Sequence, residues 1–136
     1  MSVLDRDQMS IAGQSENVTP ERLLPLSTAN FHILLSVADH ECHGYAIMQN
    51  VKKTTGGAIR LGPGTLYRCV QALLRDGLLE ESARRPLPAE DQRRRYYRLT
   101  QLGRRILALE TERLTRLLAV AKSTRLLRKL KPRAIP

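Results

Sequence analysis

The stretch Arg60-Leu61-Gly62-Pro63-Gly64-Thr65-Leu66-Tyr67-Arg68-Cys69-Val70-Gln71-Ala72-Leu73-Leu74-Arg75-Asp76-Gly77-Leu78-Leu79 decides the fold. It reads as a turn, a short helix, a stop and the start of a strand. Gly62 and Gly64 permit a sharp turn, and Pro63 suits the first helical turn, where its missing N–H costs nothing. Leu66, Val70, Leu73 and Leu74 are spaced to share one face of a helix. Thr65, Arg68, Gln71 and Arg75 occupy the other face, and Gly77 supplies the stop expected just past a helix C-terminus. A helix with an apolar back and a short, hydrogen-bonding, cationic front fits a DNA major groove. An ordinary amphipathic surface helix has the same pattern, so the flanking segments decide between the two.

Downstream, residues 78–83 and 93–100 read as two short strands, the second rich in tyrosine. Between them Pro86 and Pro88 block a strand ladder and mark a loop. Two strands and a basic loop after a groove-sized helix make a wing. Residues 93–105 hold six arginines (93, 94, 95, 98, 104 and 105) and no acid. Arginine forks match phosphate oxygens and fit the minor groove. Strand alternation predicts Tyr97 and Leu99 toward the core and Tyr96 and Arg98 toward solvent.

Four segments, His43-Gly-Tyr-Ala-Ile47, Leu61-Gly-Pro-Gly-Thr-Leu-Tyr67, Leu73-Leu-Arg-Asp-Gly-Leu-Leu79 and Arg95-Tyr-Tyr-Arg-Leu-Thr-Gln-Leu-Gly103, occur in this order at compatible spacing. Together they resemble the successive signatures of the PadR family of bacterial transcription regulators, over roughly residues 28–121. The resemblance implies a mainly α fold with a small β-hairpin: a winged helix-turn-helix plus a C-terminal dimerisation helix. It also implies a dimer that usually represses transcription, and the single terminal helix is similar to the family's compact subgroup. Read onto matching positions, it implies that Gly64, Thr65, Tyr67 and Arg68 reach DNA. Tyr45 is then a phosphate contact or a packing residue, and Arg93, Arg94 and Arg95 form the wing contact. Hydroxyls of Thr and Tyr bond phosphates, Arg matches guanine, and Gln71 matches adenine if the helix lies deep enough.

Composition agrees. The chain has 136 residues, enough for one small domain, and a net charge of +10. Residues 1–30 hold Asp5, Asp7, Glu16 and Glu21 against Arg6 and Arg22, so residues 31–136 carry +12. A domain this basic calls for a polyanionic partner. No apolar run approaches a membrane span and no signal sequence is evident, so the expected location is cytoplasmic. Cys42 and Cys69 give no disulfide framework.

Four regions follow. Residues 1–26, without a periodic apolar pattern over 1–24, are expected to be a disordered tail. Residues 27–99 form the DNA-binding domain, with Ser27 or Thr28 capping a first helix whose stripe is Phe31, Leu34, Leu35 and Ala38. A second helix from about His43 turns Gly44, Ile47, Met48 and Val51 inward, Gly44 allowing another backbone to approach. Thr54-Thr-Gly-Gly57 ends it, and residues 58–60 offer a third strand. Residues 100–121 form the last helix. Its stripe Leu102, Ile106 and Leu109 serves its own domain, and its stripe Leu107, Leu114, Leu118 and Ala121 serves a second subunit. One broad stripe packing on a single domain is the plainer alternative. Residues 122–136 are a basic tail, expected to be solvated and partly disordered.

Enzymatic signals are lacking. No catalytic triad, paired carboxylates or phosphate-cradling loop stands out, and His40, Cys42 and His43 lack a metal-ligand spacing. No cofactor is expected. With no Trp and no aromatic residue on the last helix, a flat aromatic effector stacked between two such helices is not expected, and any other effector stays open. The competing reading is a basic winged helix that binds RNA or a protein partner.

Overall fold

The structure, a computed structural model, describes residues 19–130. After a 3-10 turn, Pro20–Leu23, the elements are α1 (Thr28–Ser36), β1 (Cys42–His43), α2 (Gly44–Thr54), α3 (Pro63–Arg75), β2 (Leu79–Glu81), β3 (Tyr96–Leu99), α4 (Gln101–Ser123) and α5 (Arg125–Lys129). The three strands form one antiparallel sheet in the order β1-β3-β2. The hairpin expected from sequence is therefore extended by Cys42–His43, and residues 58–60 form no strand. This is a winged helix-turn-helix with a long C-terminal helix.

Local chemistry explains the boundaries. Ser27 caps α1, its Oγ accepting the Asn30 N–H at 3.0 Å. Gly62 caps α3 and Pro63 opens it. The φ of Gly62 is an ordinary −74°, so the turn there does not use glycine's extra freedom. Past the end of α3, Gly77 takes φ +77°. Its N–H bonds the Leu74 carbonyl and the Leu78 N–H bonds the Leu73 carbonyl. This is a Schellman stop, completed by buried Leu73 and Leu78.

The core gathers Ile33 and Leu34 from α1 and Val37 just past it, Ile47 and Val51 from α2, and Leu66, Val70 and Leu73 from α3. Leu78, Leu79, Leu99 and Ile106 close it. Several expectations need correction. The buried stripe of α1 is Ile33, Leu34 and Val37; Leu35 and Ala38 are exposed and Phe31 is half-buried. In β3 it is Tyr96, not Tyr97, that is buried with Leu99. The Tyr96 ring is covered on one side by the Arg84 guanidinium, 4.5 Å from its centroid, and packs edge-on against His43. Gly44 faces the Leu66 side chain rather than a backbone. Close backbone approach occurs instead at Gly103, where a Cβ would collide with the Leu78 carbonyl.

The chain before α1 also differs from expectation. Within residues 1–26, residues 1–18 lie outside the described residues, but Pro20–Leu23 is a 3-10 turn and Leu23, Leu24 and Leu26 pack against the core. The Leu26 N–H donates to Glu110 Oε2 at 3.2 Å. Glu110 is 2% exposed and takes a fork from Arg113 at 2.6 and 2.9 Å. Those hydrogen bonds hold its carboxyl below the usual range against the opposing effect of burial. At the other end α4 continues to Ser123, and residues 125–129 add the short α5 where a partly disordered tail was expected. Residues 131–136 lie outside the described residues.

Candidate nucleic-acid interface

The α3 helix presents two faces. Leu66, Val70 and Leu73 are buried against α1 and α2, while Gly64, Thr65, Tyr67, Arg68 and Gln71 are exposed. Neither Gly62 nor Gly64 has a neighbour within 4 Å of where a Cβ would stand, so the fold itself does not require glycine at either position. Their effect is to leave the tip of the helix bare, which favours close approach by a partner.

Tyr45 sits in the first turn of α2 and is 57% exposed. It borders two concavities. One is a crevice of about 200 Å³ lined by Tyr45, Met48, Leu66, Tyr67, Val70 and Tyr97 among others. The second, of about 540 Å³, brings Tyr45 and His43 beside Asp91, Arg93 and Arg94 of the wing. The start of α2 and the wing loop thus form one surface. Tyr97 is half-buried, and its hydroxyl pKa is pushed up by burial and, less strongly, by Glu81 and Tyr67. His43 caps α2 with its Nδ1, which accepts the Ala46 N–H at 3.1 Å. Burial lowers the His43 pKa, as do Arg94 and Arg84, with Glu90 opposing.

The arginines from Arg93 to Arg98 do not stand free. Arg93 pairs with Asp91 at 3.2 Å, Arg94 with Glu90 at 3.8 Å and Arg95 with Glu81 at 3.4 Å. Arg98, opposite Glu80 in the strand register, pairs with it at 2.7 Å and reaches Glu41 at 3.8 Å. An uninterrupted arginine run in sequence is therefore met by acids that folding brings in from β2, the wing loop and the segment before β1. Ser82, buried at the wing's base, donates to Glu41 at 2.8 Å and accepts the Arg84 N–H.

Sequence reasoning missed a second group. Gln49, Lys52, Lys53, Gly56, Gly57 and Arg60 line an open cleft of about 380 Å³ between the end of α2 and the start of α3. The signal was available: residues 42–75 contain Lys52, Lys53, Arg60, Arg68 and Arg75 and no acid. Among the described residues, none of those five cations makes an ion pair.

The four positions expected at a subunit interface separate. Leu107 packs against its own core, and Leu114 and Ala121 are half-buried. Leu118 is 54% exposed, as is Leu117, and Val120 is 62% exposed. Among the described residues no three His, Cys, Asp or Glu side chains cluster to hold a metal ion, and no helix is long and apolar enough to cross a membrane. Cys42 is buried, its Sγ donating to the Ser36 carbonyl at 3.2 Å, and burial raises its thiol pKa away from reactivity.

Comparison with known proteins agrees with this fold. The model of the Transcriptional regulator PadR-like family matches residues 33–109. A transcriptional regulator of Mycobacterium tuberculosis is 36% identical over 78 residues, which cover 57% of this chain and 67% of that protein. A 37.1 kDa protein of a Streptomyces fradiae transposon is 37% identical over 89 residues, 65% of this chain, but the match spans only 24% of that protein. Among solved structures, a PadR family transcription regulator from Clostridium difficile has a TM-score of 0.61 at 19% identity, covering 71% of this chain and 96% of that one. A PadR-like transcription factor from Bacteroides fragilis gives 0.58 at 20%, covering 83% and 96%. The solved structures share the fold, and the family match spans more than half of the sequence. The chain belongs to the PadR-like family of transcriptional regulators.

Proposed function

We propose that this protein is a dimeric repressor that binds an inverted-repeat operator in duplex DNA. The observation that carries this reading is the solvent face of α3. Its bare tip at Gly62 and Gly64 is followed by exposed Thr65, Tyr67, Arg68 and Gln71, with no acid between Glu41 and Asp76. Arg68 is the first arginine of the helix and lies away from Leu66, Val70 and Leu73, which suits it to a guanine edge. Thr65 and Tyr67 suit phosphates, and Gln71 suits adenine. Tyr45 shares one surface with wing residues Arg93 and Arg94, which suits them, with Arg95, to the DNA backbone.

Dimerisation is supported by the far half of α4. Leu117, Leu118 and Val120 are exposed apolar residues on a helix whose first half is already packed on its own domain. A second copy related by a two-fold axis would cover them and place two α3 helices on half-sites about 10 bp, or a multiple, apart.

The test is to select genomic fragments retained by the purified protein and footprint them. On such a fragment Arg68→Ala is expected to cost about 1–3 kcal/mol, with far less loss on random duplex. Equal loss on both makes Arg68 a phosphate clamp, and no loss on either means another face of α3 reads the bases. Leu117→Glu with Leu118→Glu is expected to give monomers in sedimentation, because an interface would bury unpaired charge.

A further inference from the structure

We propose that the cleft of Gln49, Lys52, Lys53, Gly56, Gly57 and Arg60 is a second DNA-backbone site. It grips phosphodiesters beside the groove that α3 enters, and it supplies more of the sequence-independent hold than the wing arginines do. The proposal rests on the reading of α3 as the groove-entering helix.

Three observations carry it. The first is placement. Tyr45, Gln49 and Lys52 are exposed and spaced to share one face of α2. From Tyr45 to Lys52 that face runs about 10 Å along the helix axis, so it continues the surface shared by Tyr45 and the wing. In helix-turn-helix docking the helix before the recognition helix crosses the DNA backbone.

The second is construction. Gly56 and Gly57, at φ +60° and +84°, end α2 in a tight reversal. Their N–H groups bond the Lys53 and Lys52 carbonyls at 3.2 and 2.8 Å. The reversal returns Arg60 to the lysines. Arg60 Nε donates to the Gly57 carbonyl at 3.4 Å, leaving its two terminal nitrogens available to a phosphate.

The third is charge. No carboxylate lines the cleft and its three cations make no ion pair among the described residues. Lysines in a last helical turn also offset the helix dipole, which is the plainer account of Lys52 and Lys53. Arg60 lies outside the helix and that account does not reach it. In the wing each arginine of the run 93–95 carries its own carboxylate, which repels an incoming phosphate.

The experiment uses the full chain and a random-sequence DNA duplex, whose binding depends on phosphate contacts alone. Anisotropy titrations across a salt series compare the wild type with two triple variants: Lys52→Gln/Lys53→Gln/Arg60→Gln, and Arg93→Gln/Arg94→Gln/Arg95→Gln. The cleft variant is expected to lower affinity about tenfold or more and to make the salt slope shallower by roughly two to three per subunit. The wing variant should change the slope by less than about one. Larger loss in the wing variant, or no loss in the cleft variant while the wild type binds, overturns the cleft and leaves the DNA reading intact. A wild type that shows no salt-dependent binding to any duplex overturns both. Tighter binding to an RNA duplex than to DNA overturns the choice of nucleic acid. All three cleft side chains are exposed, so thermal melting is expected to change only slightly, through the loss of the lysines from the last turn of α2. Arg60→Lys keeps the charge and should keep the slope; a lost slope there would make Arg60 a turn-forming residue and remove it from the site.

Discussion

The wing and the segment that runs from β1 to the end of α3 carry similar numbers of cations and differ in the acids those cations meet. Residues 79–99 contain six arginines and four acids, and Arg93, Arg94, Arg95 and Arg98 are ion-paired, Arg98 also with Glu41 from outside the wing. Residues 42–75 contain five cations and no acid. The difference teaches that a basic run measures charge, whereas partner binding depends on the charge left after tertiary pairing. Exposed pairs of this kind add little to stability, so their larger consequence is a weaker positive potential on the wing.

The strongest way to break the contrast is at the base of the wing. Gly103→Ala would drive a Cβ into the Leu78 carbonyl, a backbone atom that cannot swing aside. It is expected to lose about 3 kcal/mol in urea titration, the upper end for overpacking. In the cleft reversal, Gly56→Ala meets nothing within 4 Å and is strained only by its φ of +60°, so about 1 kcal/mol is expected. Equal losses would mean that the two regions are equally rigidly built.

Charge gives a smaller effect. Glu81→Gln, Glu90→Gln and Asp91→Asn together remove the partners of Arg95, Arg94 and Arg93. Affinity for random duplex should rise about tenfold and its salt slope should steepen by roughly one to two. An unchanged slope would show that the pairs do not restrain the wing in solution.

The smallest effect lies where the regions meet. His43 caps α2 through a neutral Nδ1, and its pKa is lowered by burial, then by Arg94 and Arg84, with Glu90 opposing. A lowered histidine contributes stability above its ordinary value of 6.5, and loses it as pH falls through the lowered value. Thermal melts should therefore drop below that point by up to about 1 kcal/mol, the usual worth of an N-cap. His43→Asn keeps a cap without titrating and should flatten the profile. An equally steep profile in that variant would place the titrating group elsewhere.

Much of the helix-turn-helix framework is legible in the sequence because its signals are local. The Ser27 cap, the Pro63 start, the Gly77 stop and the two faces of α3 each depend on a few neighbouring residues. The stripe of α1 is not legible, because five of the seven residues from Phe31 to Val37 are apolar and several helical phases fit. Tyr96 defeats strand alternation because Arg84, from the loop, and His43, from β1, cover its ring. The pairing of Arg93, Arg94, Arg95 and Arg98 is partly hidden for a similar reason. Glu90 and Asp91 stand next to the run in sequence, but Glu81 and Glu80 reach Arg95 and Arg98 only through β2, Glu80 directly opposite Arg98 in the strand register. The lysines of the cleft were readable as composition, but their association with Arg60 depends on the Gly56–Gly57 reversal.

Thr100 and Gly103 have one more consequence. The Thr100 hydroxyl donates to the Gly77 carbonyl at 2.5 Å while accepting the Gly103 N–H at 2.9 Å, and Gly103 lies hard against Leu78. The stop of α3 and the start of α4 are thereby one joint with no slack. In the proposed two-fold dimer such a joint would make the molecule a calliper: the gap between the two α3 helices would be set by a solid arm instead of a tether. One residue inserted in α4 between Glu110 and Leu117 would turn the distal face by about 100° and lengthen the arm by about 1.5 Å. Preference for operator spacing should then change abruptly, where a flexible linker would let it drift.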